Sequence, residues 1–204
     1  MTESLWRIVS LPAVEAAPLL LGCIFRFGKT AGKIVEVEAY SEEDPASHSF
    51  GGMRHRNRHM FLGPGHLYVY RSYGVHWCVN IVVGAEGSGE AVLIRSLEPT
   101  MGISTMKRRR NCSDLSRLCC GPGCVAAAMG ITGKHSGLLL GEGIADLEPP
   151  SEPIPIMVST RIGIRKAADW QRRFFIAGNP YVSHNKRGKE FVVPVGVMGY
   201  EVMG

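Results

Sequence analysis

The apolar and polar residues along the chain fall into short runs with two different periods. Residues 34–40 (IVEVEAY) alternate, which places Glu36, Glu38 and Tyr40 on one face of a strand and Val35, Val37 and Ala39 on the other. Residues 66–70 (HLYVY) form a second strand after the turn Gly63-Pro64-Gly65. Residues 75–83 and 91–97 form two more, and Gly84, Gly87 and Gly89 between them predict a hairpin. Helices are predicted over 13–22, closed by Gly22, over 100–110, and over the Ala-rich stretch 124–130, opened by Gly121-Pro122-Gly123. Residues 42–59 are polar, contain Pro45, Gly51 and Gly52, and read as a loop. Strands are predicted again at 154–164 and 174–177, and the β-branched, Gly-rich tail 191–203 reads as an edge strand. Strands dominate 34–97 and helices flank them. The expected fold is α+β with a mainly antiparallel sheet.

Composition narrows this picture. The chain has 204 residues, a length that favours one domain over 1–204. Apolar residues make up 45% and charged residues 20%, which excludes a disordered or coiled-coil chain. No apolar run reaches about 18 residues; the best candidate, 11–25, is broken by Pro12, Glu15 and Pro18, so no membrane partner is expected. Glu3 precedes the only early positive charge, Arg7, which makes a poor secretory signal. A cytoplasmic protein with six reduced cysteines is the expectation. Cys119, Cys120 and Cys124 are clustered, but CC-x3-C matches no zinc pairing, so they read as buried structural residues and no metal is assigned. Phosphate-binding, dinucleotide, zinc-protease and serine-hydrolase motifs are all absent.

Three features carry candidate chemistry. Glu38 sits mid-strand between apolar neighbours, where burial favours the neutral acid, and Glu36 on the same face would raise the pKa of at least one of the two. A half-buried glutamate can serve as general base for water; the alternative is a solvated face. Tyr40, Tyr68, Tyr70, Tyr73, His76 and Trp77 form an aromatic group suited to stacking on nucleobases, or to cross-strand packing. Tyr73-Gly74 predicts a turn with Tyr73 at its tip. Four basic runs, 54–59 with Arg56, 107–110 with Arg110, 172–173 and 186–189, lie in a chain of net charge only +5. Acidic residues are therefore segregated elsewhere, which favours a phosphate-binding face.

Taken in order, IVEVEAY, His48-Ser49-x-Gly51-Gly52, Arg56-Asn57-Arg58, MFLGPGHLYVYRSYGVHWCVN, VLIRSLEP, RLCCGPG, TRIGI and GNPYVS resemble the alkyladenine (3-methylpurine) DNA glycosylase family. The resemblance covers roughly residues 19–183. It implies a compact domain around a curved antiparallel sheet, with a hairpin that inserts into DNA. It implies a monofunctional glycosylase that excises alkylated or deaminated purines from double-stranded DNA, acting as a monomer and without a cofactor. By resemblance Glu38 activates water, with Arg95 and the backbone carbonyl of Ile162 holding it. Tyr40 and His48 sandwich the flipped base, Tyr70 closes the pocket edge, Asn80 lies near its floor, and Tyr73 wedges into the duplex. The chain departs from the family pattern in two loops, each one residue shorter, between Tyr40 and His48 and at 53–55. A non-catalytic binder of distorted DNA would keep Tyr73 and the basic face without needing Glu38 or Arg95. A metal-binding protein built on the three clustered cysteines is the third possibility.

Overall fold

The computed structural model describes residues 1–150, 154–183 and 193–198. Two helices, α1 (Glu3–Val9) and α2 (Ala13–Leu19), precede strands β1 (Ile24–Phe27) and β2 (Thr30–Tyr40). A 3-10 segment, His55–Phe61, leads to β3 (Leu67–Ser72), β4 (His76–Val83) and β5 (Glu90–Met101). Helices α3 (Ile103–Arg110), α4 (Leu115–Leu118) and α5 (Pro122–Met129) follow, then β6 (Ala145–Glu148), β7 (Ile154–Ser159), β8 (Arg173–Ile176) and β9 (Val193–Met198). Among the described residues the strands form one curled sheet in the order β3-β4-β5-β2-β8-β7-β9, with β1 joining β2 to β6. Every pairing is antiparallel. The fold is α+β, as the strand and helix pattern predicts.

β2 is the strand from which the site is built. Its alternation sorts residues between two environments, and both are buried. Val35, Val37 and Ala39 are fully buried in the main core with Val92 and Ile94 of β5 and with Ala13, Ala16 and Ala17 of α2. The small alanines let α2 lie close against the strand, and apolar area removed from water there contributes about 25 cal/mol per Å². Glu36, Glu38 and Tyr40 face the other side, where Tyr40 packs on a smaller cluster of Met60, Tyr68, Val82 and Ala91. The solvated-face reading of Glu36 and Glu38 is therefore wrong: both are 0% exposed.

The register of β2 on β5 is irregular where the charges sit. Glu36 lies opposite Ser96 and Val37 opposite Ile94, so Arg95 falls between them without a partner across the ladder. A bulge of this kind bends a strand and re-aims a side chain. Here it accompanies an arginine that reaches both glutamates.

Several boundaries differ from the sequence reading. The 100–110 helix begins at Ile103, because β5 continues to Met101 and Gly102 turns the chain with φ +72°. A Cβ at Gly102 would lie 2.3 Å from the Lys29 carbonyl oxygen, so only glycine fits. The polar stretch 42–59 ends in the 3-10 segment. The strand predicted over 154–164 stops at Ser159, and the chain then turns over the pocket mouth. α1, β1, α4 and β6 lack a long enough periodic run to be read in advance. In the tail, β9 pairs with β7 at the end of the sheet order, and the rest of 191–203 lies outside the described residues.

Ile94 tests the core side of this arrangement without touching the pocket side. Ile94→Ala is expected to lower unfolding free energy by about 2–5 kcal/mol, read by urea denaturation.

Candidate active site

A cavity of about 530 Å³ opens on the polar face of β2. It brings together Glu38, Tyr40, His48, Tyr70, Asn80, Arg95 and Ile162, with Tyr73 at its rim. These residues come from β2, β3, β4, β5 and two loops, so nothing in chain order alone assembles them. Arg56 and Arg110 do not line it.

Glu38 accepts three hydrogen bonds or ion-pair contacts. The Ile162 amide N–H donates to Oε1 at 2.9 Å, Arg95 Nη1 approaches Oε1 at 3.1 Å, and the Tyr40 hydroxyl donates to Oε2 at 2.8 Å. For Ile162 the contact with Glu38 is through its amide; the carbonyl, which the resemblance assigns to the water, is a separate group of the same residue. Burial, then the adjacent Glu38 carboxylate, pushes the Tyr40 hydroxyl well above its usual range, so it stays a donor.

Glu36 is bound more completely. Its Oε1 accepts from Arg173 Nε (2.6 Å), Ser183 Oγ (2.8 Å) and Arg95 Nε (3.2 Å). Its Oε2 accepts from the Ser183 amide (2.8 Å) and Ser96 Oγ (2.9 Å). Burial pushes the Glu36 carboxyl upward, but Arg95, Arg173 and the Ser183 hydrogen bonds outweigh it and hold the group below the usual carboxylate range. The pairing of two carboxylates on one face does not raise Glu36, because two arginines share that face. Arg173, expected on a basic surface, is 0% exposed, and its Nη1 also donates to Ser159 Oγ at 2.9 Å.

Two loops finish the pocket. After β7 the chain carries Arg161, whose guanidinium pairs with the fully buried Asp44 and lies 4.7 Å over the Tyr40 ring centroid. That clamp sets the next residue, Ile162, against Glu38. On the other side, Asn57 of the 3-10 segment donates through Nδ2 to the His48 carbonyl (2.7 Å) and accepts from the Arg54 amide (2.6 Å). The shortened loops still place His48 in the cavity. Its Nδ1 lies 2.9 Å from the Tyr68 hydroxyl, and its ring meets Tyr70 edge-on at 4.3 Å. Burial, then the Arg56 charge, holds the His48 pKa below its ordinary value, so the ring is neutral at pH 7. Arg161, Asp44, Asn57, Tyr68 and Cys78 take part in the site without having been assigned to it from sequence. Tyr68 carried a signal in its period-two spacing from Tyr70, and Asn57, Cys78 and Arg161 lie within the motifs that carry the resemblance; the Tyr68 and Tyr70 rings stack at 5.7 Å. Asn80 Nδ2 donates to the Tyr68 carbonyl at 2.9 Å, which fixes the amide against the pocket wall.

Tyr73 stands at the apex of the β3–β4 hairpin and is 90% exposed. Its φ is +48° and that of Gly74 is +69°. Positive φ at two successive residues matches the right-handed twist of a hairpin, but a tyrosine there is uncommon. The hairpin thus holds a large ring out in solvent beside the cavity.

The basic runs separate. Arg56 is exposed next to the pocket. Arg110 is half-buried and spends Nε on the Leu118 carbonyl (3.1 Å) and Nη2 on Cys124 Sγ (3.0 Å). Arg172 pairs with Glu43 at 2.9 Å and stacks on Trp170. The 186–189 run lies outside the described residues. Among the described residues no three His, Cys, Asp or Glu side chains are grouped to hold a metal ion, and no helix is long and apolar enough to cross a membrane.

A charged, aromatic-lined cavity thus lies beside an exposed tyrosine at a hairpin tip. Comparison with known proteins places the chain further. The methylpurine-DNA glycosylase (MPG) family matches residues 7–180. A Nitrosospira multiformis protein named "Putative 3-methyladenine DNA glycosylase" is 45% identical over 183 residues, 90% of this chain and 95% of its own. Proteins of the same name from Rhodopseudomonas palustris (strain HaA2) and Methanoculleus marisnigri are 49% and 48% identical, each over 83% of this chain and over 84% and 93% of their own. The chain belongs to the methylpurine-DNA glycosylase family, and its role is that of a DNA glycosylase in repair of alkylated DNA.

The electrostatic link between Arg56 and His48 gives a direct check. Arg56→Gln removes a like charge, which favours the imidazolium, so the His48 titration midpoint should move up; NMR of the imidazole resonances reads this.

Proposed function

We propose that the cavity receives a damaged purine flipped out of double-stranded DNA, and that Glu38 activates the water that cleaves its N-glycosidic bond. The observation that carries this reading is the contrast between two neighbouring carboxylates. A carboxylate has about four acceptor sites. Glu36 takes five donors and is saturated. Glu38 takes two hydrogen bonds and one ion pair, with only the Tyr40 bond on Oε2, and lines the cavity. Its free acceptor site, on Oε2, is the place for a water proton.

The rest of the chemistry follows from the residues present. A base within a duplex is out of reach and must be extruded, at a cost of a few kcal/mol. Tyr73 fills the gap left behind and offsets part of that cost. A purine methylated at ring N3 or N7 is cationic. The ring faces of Tyr40 and His48 attract it, and a neutral His48 adds no repulsion. As the glycosidic bond breaks, its electron pair moves to the purine nitrogen and cancels the positive charge of the base. Positive charge then builds on the sugar, where the ionised Glu38 stabilises it. Water adds to C1′ and gives its proton to Glu38 Oε2. The product is an abasic site with both strands intact. Among the described residues no lysine lines the cavity, which supports a one-step hydrolase over a Schiff-base lyase. The substrate class on this reading is alkylated or deaminated purines: 3-methyladenine, 7-methylguanine, hypoxanthine and ethenoadenine.

Single-turnover base release from duplexes carrying one such lesion tests the reading. Glu38→Gln should abolish release while damaged duplex still binds; comparable release by the variant removes Glu38 from the role of base. No release by the wild type, with binding retained, would favour the non-catalytic binder. Tyr73→Ser should weaken capture of the flipped state by about 1–3 kcal/mol, the usual worth of an aromatic–base stack, read from damaged-duplex affinity and single-turnover rate together.

A further inference from the structure

Glu36 is a buried carboxylate that the chemistry above does not use, and it touches the residue that the chemistry depends on. Arg95 is divided between the two glutamates: Nε faces Glu36 Oε1 at 3.2 Å and Nη1 faces Glu38 Oε1 at 3.1 Å. Among the described residues its Nη2 has no protein partner, and Arg95 lines the cavity. Arginine and a lone carboxylate prefer a two-pronged pair. That geometry would engage both oxygens of Glu38 and use up the acceptor site left for water. The bound orientation of Arg95 is therefore not the one Glu38 alone would select.

We propose that Glu36 is the positioning residue that holds Arg95 edge-on to Glu38, so that Glu38 Oε2 and Arg95 Nη2 both stay available to the attacking water. The inference rests on the glycosylase reading above. Glu36 suits this role because it cannot move. Arg173, Ser96 and Ser183 hold it from four other donors, and it is 0% exposed. It also balances charge: Glu36 and Glu38 against Arg95 and Arg173 sum to zero in a buried space. Removing the Glu36 charge leaves Glu38 as the only anion for two buried guanidiniums and draws Arg95 toward it. Arg173 and Ser183 come from beyond β7, so the C-terminal part of the domain sets the geometry of a catalytic pair on β2 and β5.

A double-mutant cycle in the full chain separates positioning from general support of the fold. The variants are Glu36→Gln, Arg95→Met and the pair, with single-turnover base release from a hypoxanthine or methylated-purine duplex as the rate. Affinity for a duplex containing a tetrahydrofuran abasic-site analogue is the second readout. Glu36→Gln is expected to slow release by about 10- to 100-fold in the wild-type background and by less than about 2-fold when Arg95 is already Met, with affinity for the analogue duplex unchanged within about 3-fold. Equal fold losses in both backgrounds, a parallel loss of affinity, or no loss at all would overturn the proposal. Where near-UV circular dichroism shows that Glu36→Gln does not fold, Ser183→Ala decides by the same cycle. It deletes one donor to Glu36 Oε1 and keeps the Ser183 amide on Oε2. A loss of about 3- to 10-fold that vanishes with Arg95→Met supports the proposal, and an additive or absent loss overturns it. Failure of the wild type to release any base would instead remove the glycosylase reading, and the positioning role with it.

Discussion

Everything at the site hangs on four buried charges, Glu36, Glu38, Arg95 and Arg173. Taking one such charge out of water costs several kcal/mol, and only close partners and saturated hydrogen bonding recover it. The array supplies both. Each arginine reaches Glu36, and Glu36 spends every acceptor it has. Such an arrangement is a poor source of stability compared with well-packed apolar residues. Its value lies in direction: a carboxylate held on three sides points its remaining lone pair at one place.

A second buried pair, Arg161 with Asp44, organises the other wall. It joins the loop after β2 to the loop after β7, and its guanidinium lies over one face of Tyr40. Tyr40 in turn donates to Glu38. The proposed base-stacking ring and the proposed water base are thus positioned by one connected set of charges. A loop displacement on either side would reach both. Asn57 plays the same part for His48, stitching 48–54 to the 3-10 segment through its side chain.

Much of this was legible along the chain, and what was not has a physical cause. The alternation in 34–40 correctly separated Glu36, Glu38 and Tyr40 from the core-facing residues, because a central strand keeps period two whichever environment each face meets. Alternation could not say that the polar face was buried; that depends on β3, β4 and two loops closing over it. Two members of the basic runs depart from a surface role for the same reason. Arg173 and Arg110 look like surface charge in sequence, and only tertiary partners turn them inward. The strand predicted over 154–164 was too long because β-branched and apolar residues continue past Ser159, while Arg161 is drawn out of the sheet by Asp44. Tyr73 was readable because Gly74 marks the turn, and hairpin geometry then leaves its ring nowhere to go but solvent.

The position of Arg161 bears on which bases the cavity prefers. A cation above one face of Tyr40 draws electron density from the ring and weakens the attraction of the other face for a second cation. Asp44 beneath Arg161 opposes that by neutralising it at close range. On the proposed reading, the ring offered to the base is therefore close to an ordinary tyrosine face, suited to neutral and cationic purines alike. His48 works in the same direction: burial and Arg56 keep it neutral, so it neither repels a cation nor demands one. If the cavity works as proposed, discrimination between lesions falls less to the stacking faces than to how each base leaves. A cationic purine departs as it is, whereas a neutral one must gain a proton, and Glu38 acts on the sugar side in both cases.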